Sequence, residues 1–549
     1  MELVKKIFQK ITQLIEKIEN SPISLSKFLL AFFCFVFLRN FLEIFSTRSD
    51  YFAAKRFSFF FFHSVAFYIF VFLALILILH FITKERIIKI SKVIFSGSIV
   101  LLLPPLLDLL ASGGEGVVNK YRNFTQPENI WQIIKLFFAY IIDSPFGLFF
   151  GRDANFPLTQ LQINYGIRVE VLIVLIFLIW YIFWKTKNIF RVLAGLFLGY
   201  MVFFVLGIFP YLMAFVFGLP ATDASFYNAS IINSAFDWNK IIFCLYFVFI
   251  LIFGAAWFYF YDRNKFLAVI RNLRLPRFLL NLVFLFLGLA VTFHFSGKRL
   301  DFMPFDYSLI FTACLSLAFY WFFAVFSNDM ADEKADKINA PTRPLPSAAL
   351  SRQEARSLSL VFLGVSYALA FIVGYAFFVI IFLRSCLSYL YSWPPFRLKR
   401  VPLISHFVLA ICYFLTMLAG YLILSSSSVY DFPGRVSLVF LISFALVANF
   451  KDIKDYKGDK ADKVYTLPII FGPKRGKLII GFLGVVAFLL LPLVYKEYLK
   501  LILIPSLVAA AAYFFLVNKK KYDERLIFFL ILVYIALIAF LIFWQPYSL

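Results

Sequence analysis

Long segments of predominantly apolar residues recur along this chain and constrain its fold more than any other feature. Two of them, Phe59–Ile82 and Leu526–Phe543, are long enough to cross about 30 Å of hydrocarbon as helices. Because lipid offers the backbone no hydrogen-bond partners, a spanning segment must be a helix or belong to a closed barrel. Barrel strands would alternate apolar and polar residues, whereas these segments do not. The sequence therefore predicts an all-α integral membrane protein.

The composition supports this fold class and excludes others. Of the 549 residues, 62% are hydrophobic and 15% are charged, far from the composition of a soluble domain. The net charge of +23 would suit a nucleic-acid-binding protein, but the basic residues concentrate in short loops between apolar segments. Such loops are typical of the cytoplasmic side of a membrane protein, so we expect no nucleic acid partner. The five Cys form no CxxC pair and the four His are scattered, which disfavours a metal site built from these residues.

About fifteen transmembrane helices are predicted from segment length and apolar character. The predicted spans are 27–46, 60–83, 93–111, 169–185, 191–217, 240–261, 276–296, 305–326, two short helices within 357–391, 402–424, 433–449, 478–495, 499–517 and 525–545. Placing the N-terminus in the cytoplasm puts the most basic loops inside. The apolar segment 130–150 is interrupted by Asp143 and Pro145, and we interpret it as re-entrant or interfacial. The sequence thus predicts a multi-pass protein of a bacterial or archaeal cell membrane.

A strongly basic linker, 262–277, divides the chain. Residues 1–270 are predicted to form an N-terminal multi-span membrane domain of unknown function, and residues 271–549 a second domain. The N-terminal candidates for function are polar residues among apolar ones, namely Asp108, Glu115, Asp143, Arg152 and Asp153. Charges within a membrane mark function by default, although Asp108 and Asp143 also suit positions near the interface. This region could hold or hand over a lipid, scaffold a partner or run a second reaction.

The first acidic segment of the C-terminal half is 328–347, NDMADEKADKINAPTRPLPS, which directly follows a predicted span. Asn328, Asp332 and Asp336 are spaced by four residues, so they share one face of a helix. Asp329 lies one step away on nearly the same face. This spacing predicts a row of oxygen ligands at the cytoplasmic end of the span.

The second acidic segment is 451–472, KDIKDYKGDKADKVYTLPIIFG, and it also follows a predicted span. Asp452, Asp455 and Asp459 again share a helical face. The predicted topology places both segments on the cytoplasmic side, where the two carboxylate faces can oppose each other.

Two opposed carboxylate faces need cations, because like charges repel each other. Mg²⁺ prefers oxygen ligands and commonly bridges a few carboxylates to substrate phosphates. It would also neutralise a departing diphosphate, which makes cleavage of an allylic C–O bond feasible. The predicted metal ligands, with Asp332 and Asp455 as the predicted catalytic residues, are Asn328, Asp329, Asp332, Asp336, Asp452, Asp455 and Asp459. The alternative, two ordinary acidic loops, is disfavoured because a similar spacing occurs twice, each time after a predicted span.

Both segments resemble the motifs of the UbiA superfamily of membrane prenyltransferases. The first matches the family pattern NDxxDxxxD followed by NxPxRPxPS, and it departs at Ala348, where Gly is common. The second matches KDxxDxxGD followed by TLP. The resemblance covers about residues 271–549 and implies a nine-helix UbiA-like bundle around a central cavity, with the motifs after its second and sixth helices. It also implies Mg²⁺ as the cofactor.

A third segment, 391–402 (YSWPPFRLKRVP), is similar to the Tyr-Ser…Lys-Arg segment of the same family. The resemblance implies that hydroxyl and basic side chains bind the substrate diphosphate, namely Arg343, Tyr391, Arg397, Lys399, Lys454 and Lys463. Lys454 and Lys463 are the weaker candidates. Arg343 has a second interpretation as a loop cap, and Arg400 suits a positive-inside anchor as well as a phosphate ligand.

The resulting hypothesis is Mg²⁺-dependent transfer of a prenyl group from a prenyl or polyprenyl diphosphate to an acceptor, with release of diphosphate. The acceptor is unknown, because family members act on aromatic compounds and on lipid or sugar-phosphate head groups. A soluble isoprenyl synthase also uses paired acidic motifs but would not need these spans. The rival hypothesis is a lipid-handling or transport protein that retains a UbiA-like half. A transporter would spread ionisable residues through its midplane, whereas here the acids concentrate at two helix ends.

Overall fold

A computed structural model describes residues 2–46, 54–111, 114, 165–216, 232–296, 304–401, 404–424, 429–461, 464–493 and 499–543. These residues form helices, turns and loops but no strand, so the predicted all-α fold is confirmed. The chain divides into two compact units, Met1–Arg263 and Asn264–Leu549. The functions assigned to the two halves remain predictions.

The N-terminal unit contains eight long or medium helices within the described ranges. They are α1 (Glu2–Glu19), α2 (Leu25–Ser46), α3 (Ala54–Thr83), α4 (Ile87–Ser96), α5 (Leu103–Ala111), α6 (Tyr165–Thr186), α7 (Ile189–Val216) and α8 (Ile232–Tyr261). The Glu19 carboxylate at the end of α1 is buried, where it accepts hydrogen bonds from Tyr181 and Lys185 at 2.8 Å each. Asp108 is buried too and accepts a hydrogen bond from the Gly166 backbone at 2.8 Å.

Four of the predicted polar candidates and the apolar segment 130–150 cannot be placed in this unit. Glu115, Asp143, Arg152 and Asp153 lie outside the described residues, as does the segment itself.

The C-terminal unit begins within α9 (Arg263–Arg271). Its described residues form nine long helices, α10 (Leu275–Ser296), α11 (Pro304–Ala331), α13 (Arg352–Val373), α14 (Tyr375–Ser392), α15 (Ile404–Leu422), α16 (Gly434–Val447), α19 (Pro473–Leu490), α20 (Leu499–Asn518) and α21 (Glu524–Phe543). Three short helices lie between them, α12 (Glu333–Asn339), α17 (Asp452–Ala461) and α18 (Leu467–Phe471). As the resemblance implied, the acidic segments follow the second and sixth long helices of this unit.

Fourteen helices among the described residues are long and apolar enough to cross a membrane, six of them in the N-terminal unit. One predicted span, 478–495, overlaps α19, which is not among these fourteen helices. Its first turns carry Lys474, Arg475 and Lys477, which reduce its apolar length. The prediction of an all-α membrane protein with about fifteen spans agrees with this count.

Helices α10 and α15 approach each other unusually closely, because each has a glycine at the crossing. A Cβ on Gly288 would lie 1.7 Å from the Met417 carbonyl oxygen, and one on Gly420 would lie 1.8 Å from the Leu285 carbonyl oxygen. Only a residue without a side chain permits this backbone contact. The crossing fixes two walls of the cavity described next.

Candidate active site

A cavity of about 250 Å³ lies within the C-terminal unit. Its walls come from six of the long helices and from both acidic segments. One part is charged, with Asp332, Asp336, Asp452, Asp455 and Asp459 beside Arg274, Arg277, Arg343, Lys399 and Lys451. Another part is aromatic and apolar, with Leu280, Tyr320, Trp321, Leu409, Tyr413, Phe444, Phe528 and Ile531. The predicted central cavity is therefore present, with the acids gathered on it.

The two acidic segments are tied together by a single side chain. The Asn339 amide, at the end of α12, accepts a hydrogen bond from the Gly458 backbone N–H at 3.0 Å. Its Nδ2 donates to the Asp455 carbonyl oxygen at 3.4 Å. Gly458 permits this contact, because a Cβ there would lie 2.0 Å from Asn339 Nδ2. Gly458 of the second motif and Asn339 of the first motif thus form one contact between the two segments.

Three members of the first segment reach the cavity as predicted. Asn328 accepts a hydrogen bond from the Ser392 hydroxyl at 3.1 Å. Asp332 forms ion pairs with Lys399 and, at 3.4 Å, with Arg397. Asp336 forms an ion pair with Arg343. Asp332 and Asp336 are therefore neutralised by basic side chains that were predicted to bind diphosphate.

Asp329 is placed differently from its neighbours. It has no exposed surface, and it does not line the cavity. Its carboxylate pairs with Arg274 and accepts a hydrogen bond from Asn272 at 2.9 Å. Burial lowers the pKa of the Arg274 guanidinium, an effect that the Asp329 carboxylate opposes. These contacts fix the start of α10 against the end of α11, and they do not support Asp329 as a metal ligand.

Burial also raises the pKa of the Asp336 carboxyl, an effect that Arg343 opposes and Asp329 reinforces. The cost of ionising Asp336 here is reduced by a neighbouring cation. Asp336 Oδ2 has no hydrogen-bond partner in the described part of the chain. This oxygen of the Asp336 carboxylate is therefore available to bind a second cation.

The second segment lines the opposite side of the cavity with Asp452, Asp455 and Asp459. Asp452 Oδ2 lies 3.1 Å from His406 Nε2 and makes no hydrogen bond of good geometry. The Tyr391 hydroxyl, a predicted diphosphate ligand, accepts a hydrogen bond from Lys451 at 2.9 Å. Tyr391 also lines the cavity.

Two further predicted diphosphate ligands, Lys454 and Arg397, do not line the cavity. Lys454 has a side chain that is 58% exposed, does not line the cavity and lies 3.2 Å from Glu524. Arg397 contacts Asp332 without lining the cavity. Lys463 lies outside the described residues.

The oxygen atoms around the cavity are of the type that binds Mg²⁺, but in the part of the chain that the structure describes their positions do not form a complete metal site. Within the described residues, no three acidic, His or Cys side chains converge closely enough to hold an ion. Carboxylate and amide oxygens are nevertheless the ligands that Mg²⁺ prefers, and Asp336 and Asp452 each present a buried oxygen without a hydrogen bond. In the first segment, Asp332 and Asp336 are paired with different basic groups, Lys399 and Arg343.

Sequence reasoning missed four basic residues of the cavity, Arg274, Arg277, Arg384 and Lys451. Arg384 interrupts an apolar helix, and an isolated charge in a span was a usable signal. Lys451 directly precedes Asp452 and was read only as part of the motif. Arg277 ends the basic linker, so it was indistinguishable from a positive-inside residue. It pairs with Glu524 at 2.6 Å.

Comparison with known proteins agrees with the motifs. Residues 283–541 match the UbiA prenyltransferase family. This match confirms the UbiA resemblance for the C-terminal half of the chain.

Several curated relatives match part of the chain. The digeranylgeranylglyceryl phosphate synthase of Methanosphaera stadtmanae is 31% identical over 187 residues, 33% of this chain and 66% of the relative. The Pyrococcus furiosus enzyme of the same name is 35% identical over 29% of this chain and 57% of the relative. The chloroplastic chlorophyll synthase of Oryza sativa is 36% identical over 28% of this chain and 42% of the relative. The chain therefore spans less than two thirds of each of these relatives.

A solved UbiA homologue from Archaeoglobus fulgidus, bound to GPP and Mg²⁺, is similar to this chain at 24% sequence identity. The similarity covers 51% of this chain and 100% of that chain, with a TM-score of 0.40.

Proposed function

We propose that the C-terminal unit catalyses Mg²⁺-dependent transfer of a prenyl group from a prenyl diphosphate to an acceptor, with release of diphosphate. The observation that carries this proposal is that the two acidic segments, joined through Asn339 and Gly458, line one cavity whose other walls are aromatic. A charged end and an apolar end match the two ends of a prenyl diphosphate. The family match over residues 283–541 supports the same assignment.

Mg²⁺ bound between the acidic segments would neutralise the diphosphate and make it a better leaving group. Asn328, Asp332, Asp336, Asp452, Asp455 and Asp459 would hold the metal, because these side chains line the cavity. Asp329 is better explained as the partner of Arg274.

The basic side chains have a second role in this proposal, because they are bound to the carboxylates that the metal would need. Lys399 and Arg343 would turn from Asp332 and Asp336 toward the phosphate oxygens. The long, flexible stems of Lys and Arg permit such an exchange. Tyr391, held by Lys451, would donate its hydroxyl hydrogen to the same group. Neither set of charges is left without a partner.

The apolar part of the cavity would hold the hydrocarbon and protect the reacting carbon. Tyr320, Tyr413, Phe444 and Phe528 line it. Their ring faces attract positive charge, so they would stabilise an allylic cation as the C–O bond breaks. Excluding water from this space would favour attack by the acceptor over hydrolysis.

Two features of the assignment remain open to experiment, the acceptor and the orientation. The curated relatives described above are named as synthases of digeranylgeranylglyceryl phosphate and of chlorophyll. For this chain we propose an aromatic or a lipid or sugar-phosphate acceptor. The basic loops favour a cytoplasmic N-terminus and a cytoplasmic active site in a cell membrane.

The test is incubation of the purified full-length protein with labelled prenyl diphosphates, Mg²⁺ and a membrane lipid extract. We expect a labelled lipid product that disappears with EDTA. Asp332→Asn and Asp455→Asn should each reduce the rate by about a hundredfold or more, because the developing charge loses its counter-ion. Asp523→Asn is the matched control, since Asp523 is exposed and lies outside the cavity. Unchanged turnover in both cavity variants would refute the site, and no product with any donor would favour a lipid-binding or transport protein.

A further inference from the structure

Arg384 is a buried cation inside the membrane-spanning part of the C-terminal unit. It lies in α14, a candidate span, where it is 3% exposed and lines the cavity. An arginine cannot escape this environment by losing its proton. A charge at such a position is costly and therefore marks function unless a partner neutralises it.

The partners of Arg384 do not neutralise it. Its Nη2 donates to Asn281 Oδ1 at 2.8 Å, and its guanidinium carbon lies 4.3 Å from the centre of the Tyr320 ring. Its Nε and Nη1 are buried without a hydrogen-bond partner among the described residues. The amide and the ring reduce the cost of burial but supply no negative charge.

The other basic residues of the cavity have carboxylate or hydroxyl partners, unlike Arg384. Four of them pair with carboxylates, and Lys451 donates to the Tyr391 hydroxyl. Arg384 alone among the described lining residues of this type has neither kind of partner. Its surroundings therefore leave room for an anion from outside the protein.

The position along α14 indicates which substrate would bring that anion. Tyr391 lies seven residues further along the helix, so Arg384 is about 10 Å deeper than the end that carries the acidic segments. The proposed diphosphate subsite lies at that end. The rest of a prenyl donor is hydrocarbon, so a negative charge at the depth of Arg384 must come from the second substrate.

We propose that Arg384 binds an oxyanion of the acceptor, a carboxylate or a phosphate, and thereby selects anionic acceptors over neutral ones. This inference rests on the proposed function, because it identifies the bound anion as the acceptor of a prenyl transfer. Anion binding at Arg384 can be measured without that reaction. The guanidinium would exchange its unfilled hydrogen-bonding positions for a charge-assisted contact. Asn281 and Tyr320 would hold it in place for that contact.

The test uses three single-chain probes with the full-length protein in detergent, namely dodecyl phosphate, dodecanoate and dodecanol. We expect the wild-type protein to bind at least one anionic probe about tenfold or more tightly than the alcohol, because one neutral contact is replaced by a charged one. Whichever of phosphate and carboxylate binds more tightly identifies the class of head group. Equal binding of all three probes would overturn the proposal.

Arg384→Met and Arg384→Gln should abolish this preference while leaving the affinity for Mg²⁺-diphosphate within about twofold. Arg435→Gln is the matched control, because Arg435 is exposed and does not line the cavity. A residue kept only for structure would lower the unfolding temperature when replaced. For an unpaired buried charge, we expect Arg384→Met to leave that temperature unchanged or to raise it.

Two results would contradict the assignment. A surviving anion preference in Arg384→Met would show that another group selects the head group. A loss of Mg²⁺-diphosphate affinity of about tenfold, with the preference retained, would assign Arg384 to the donor. None of these measurements requires prenyl transfer, so a failure here is distinguishable from a failure of the proposed reaction.

Discussion

Replacing Gly458 by Ala is the sharpest test of how the two acidic segments are held together. A Cβ at this position would lie 2.0 Å from Asn339 Nδ2 and 2.7 Å from its Oδ1, so the amide would have to move away. It would then lose the hydrogen bonds to Gly458 N and to the Asp455 carbonyl. At about 1 kcal/mol of net stabilisation per bond, this costs about 2 kcal/mol. The better helix propensity of Ala returns at most about 1 kcal/mol.

The matched control is Gly364→Ala. Gly364 lies in α13, and a Cβ there would meet nothing within 4 Å. We expect this variant to be neutral or stabilised by up to about 1 kcal/mol, since only the helix propensity changes. The two glycine variants thus differ in the contact and not in the chemistry of the substitution.

Thermal unfolding of the full-length protein and the KM for prenyl diphosphate are the measurements. Gly458→Ala should lower the unfolding temperature, because the contact between the acidic segments is lost. It should also raise the KM by about tenfold, which corresponds to about 1.4 kcal/mol of binding free energy for the donor. In an Asn339→Ala background the same change should cost nothing further, since the amide is already gone. Equal effects of Gly458→Ala and Gly364→Ala, or an undiminished cost in the Asn339→Ala background, would refute this account.

Three further substitutions test other parts of the structure. Asp329→Asn should reduce stability by about 3–5 kcal/mol in thermal unfolding, because Arg274 loses its charge partner, and should leave the Mg²⁺ requirement unchanged; a raised Mg²⁺ requirement at unchanged stability would instead make Asp329 a ligand. Gly420→Ala places a Cβ 1.8 Å from the Leu285 carbonyl oxygen and should cost at least about 1–3 kcal/mol, measured as a lower unfolding temperature than that of Gly364→Ala. Lys454→Met should change stability by less than about 1 kcal/mol and the donor KM by less than about twofold, because the Lys454 side chain is mostly exposed and only flanks Glu524. A tenfold rise in that KM would return Lys454 to the diphosphate site.

Helical spacing predicted the cavity-facing acids well and failed one step away from them. Asn328, Asp332 and Asp336 share a face by their spacing of four, and all three line the cavity. Asp329 follows Asn328 by one residue, which turns its side chain by about 100° around the helix. That rotation takes it away from the cavity and into contact with Arg274. Motif membership alone could not separate a ligand from a buried partner.

Local pattern can mark Arg384 as an isolated charge in an apolar span, but it cannot show that the single basic residues meet in one cavity. Arg277, Arg384 and Lys451 come from three different helices, and only long-range packing brings them to one space. The close crossing of α10 and α15 is part of that packing, and it depends on Gly288 and Gly420. The sequence around a glycine does not indicate which other helix will pack against it. A sequence pattern describes which face of a helix is polar, whereas it does not state which other helix that face meets.

The basic side chains around the acids change how the requirement for Mg²⁺ is understood. Taken alone, the acidic segments would repel each other without metal ions. In the structure, Lys399 and Arg343 already neutralise Asp332 and Asp336. Diphosphate without metal would attract the bases and leave the carboxylates buried without partners, while metal without diphosphate would do the reverse. A metal-diphosphate complex exchanges every ion pair for another, so each component increases the affinity for the other by the same factor. On this reasoning the proposed dependence on Mg²⁺ would arise as much from the protein's own ion pairs as from the chemistry of the leaving group.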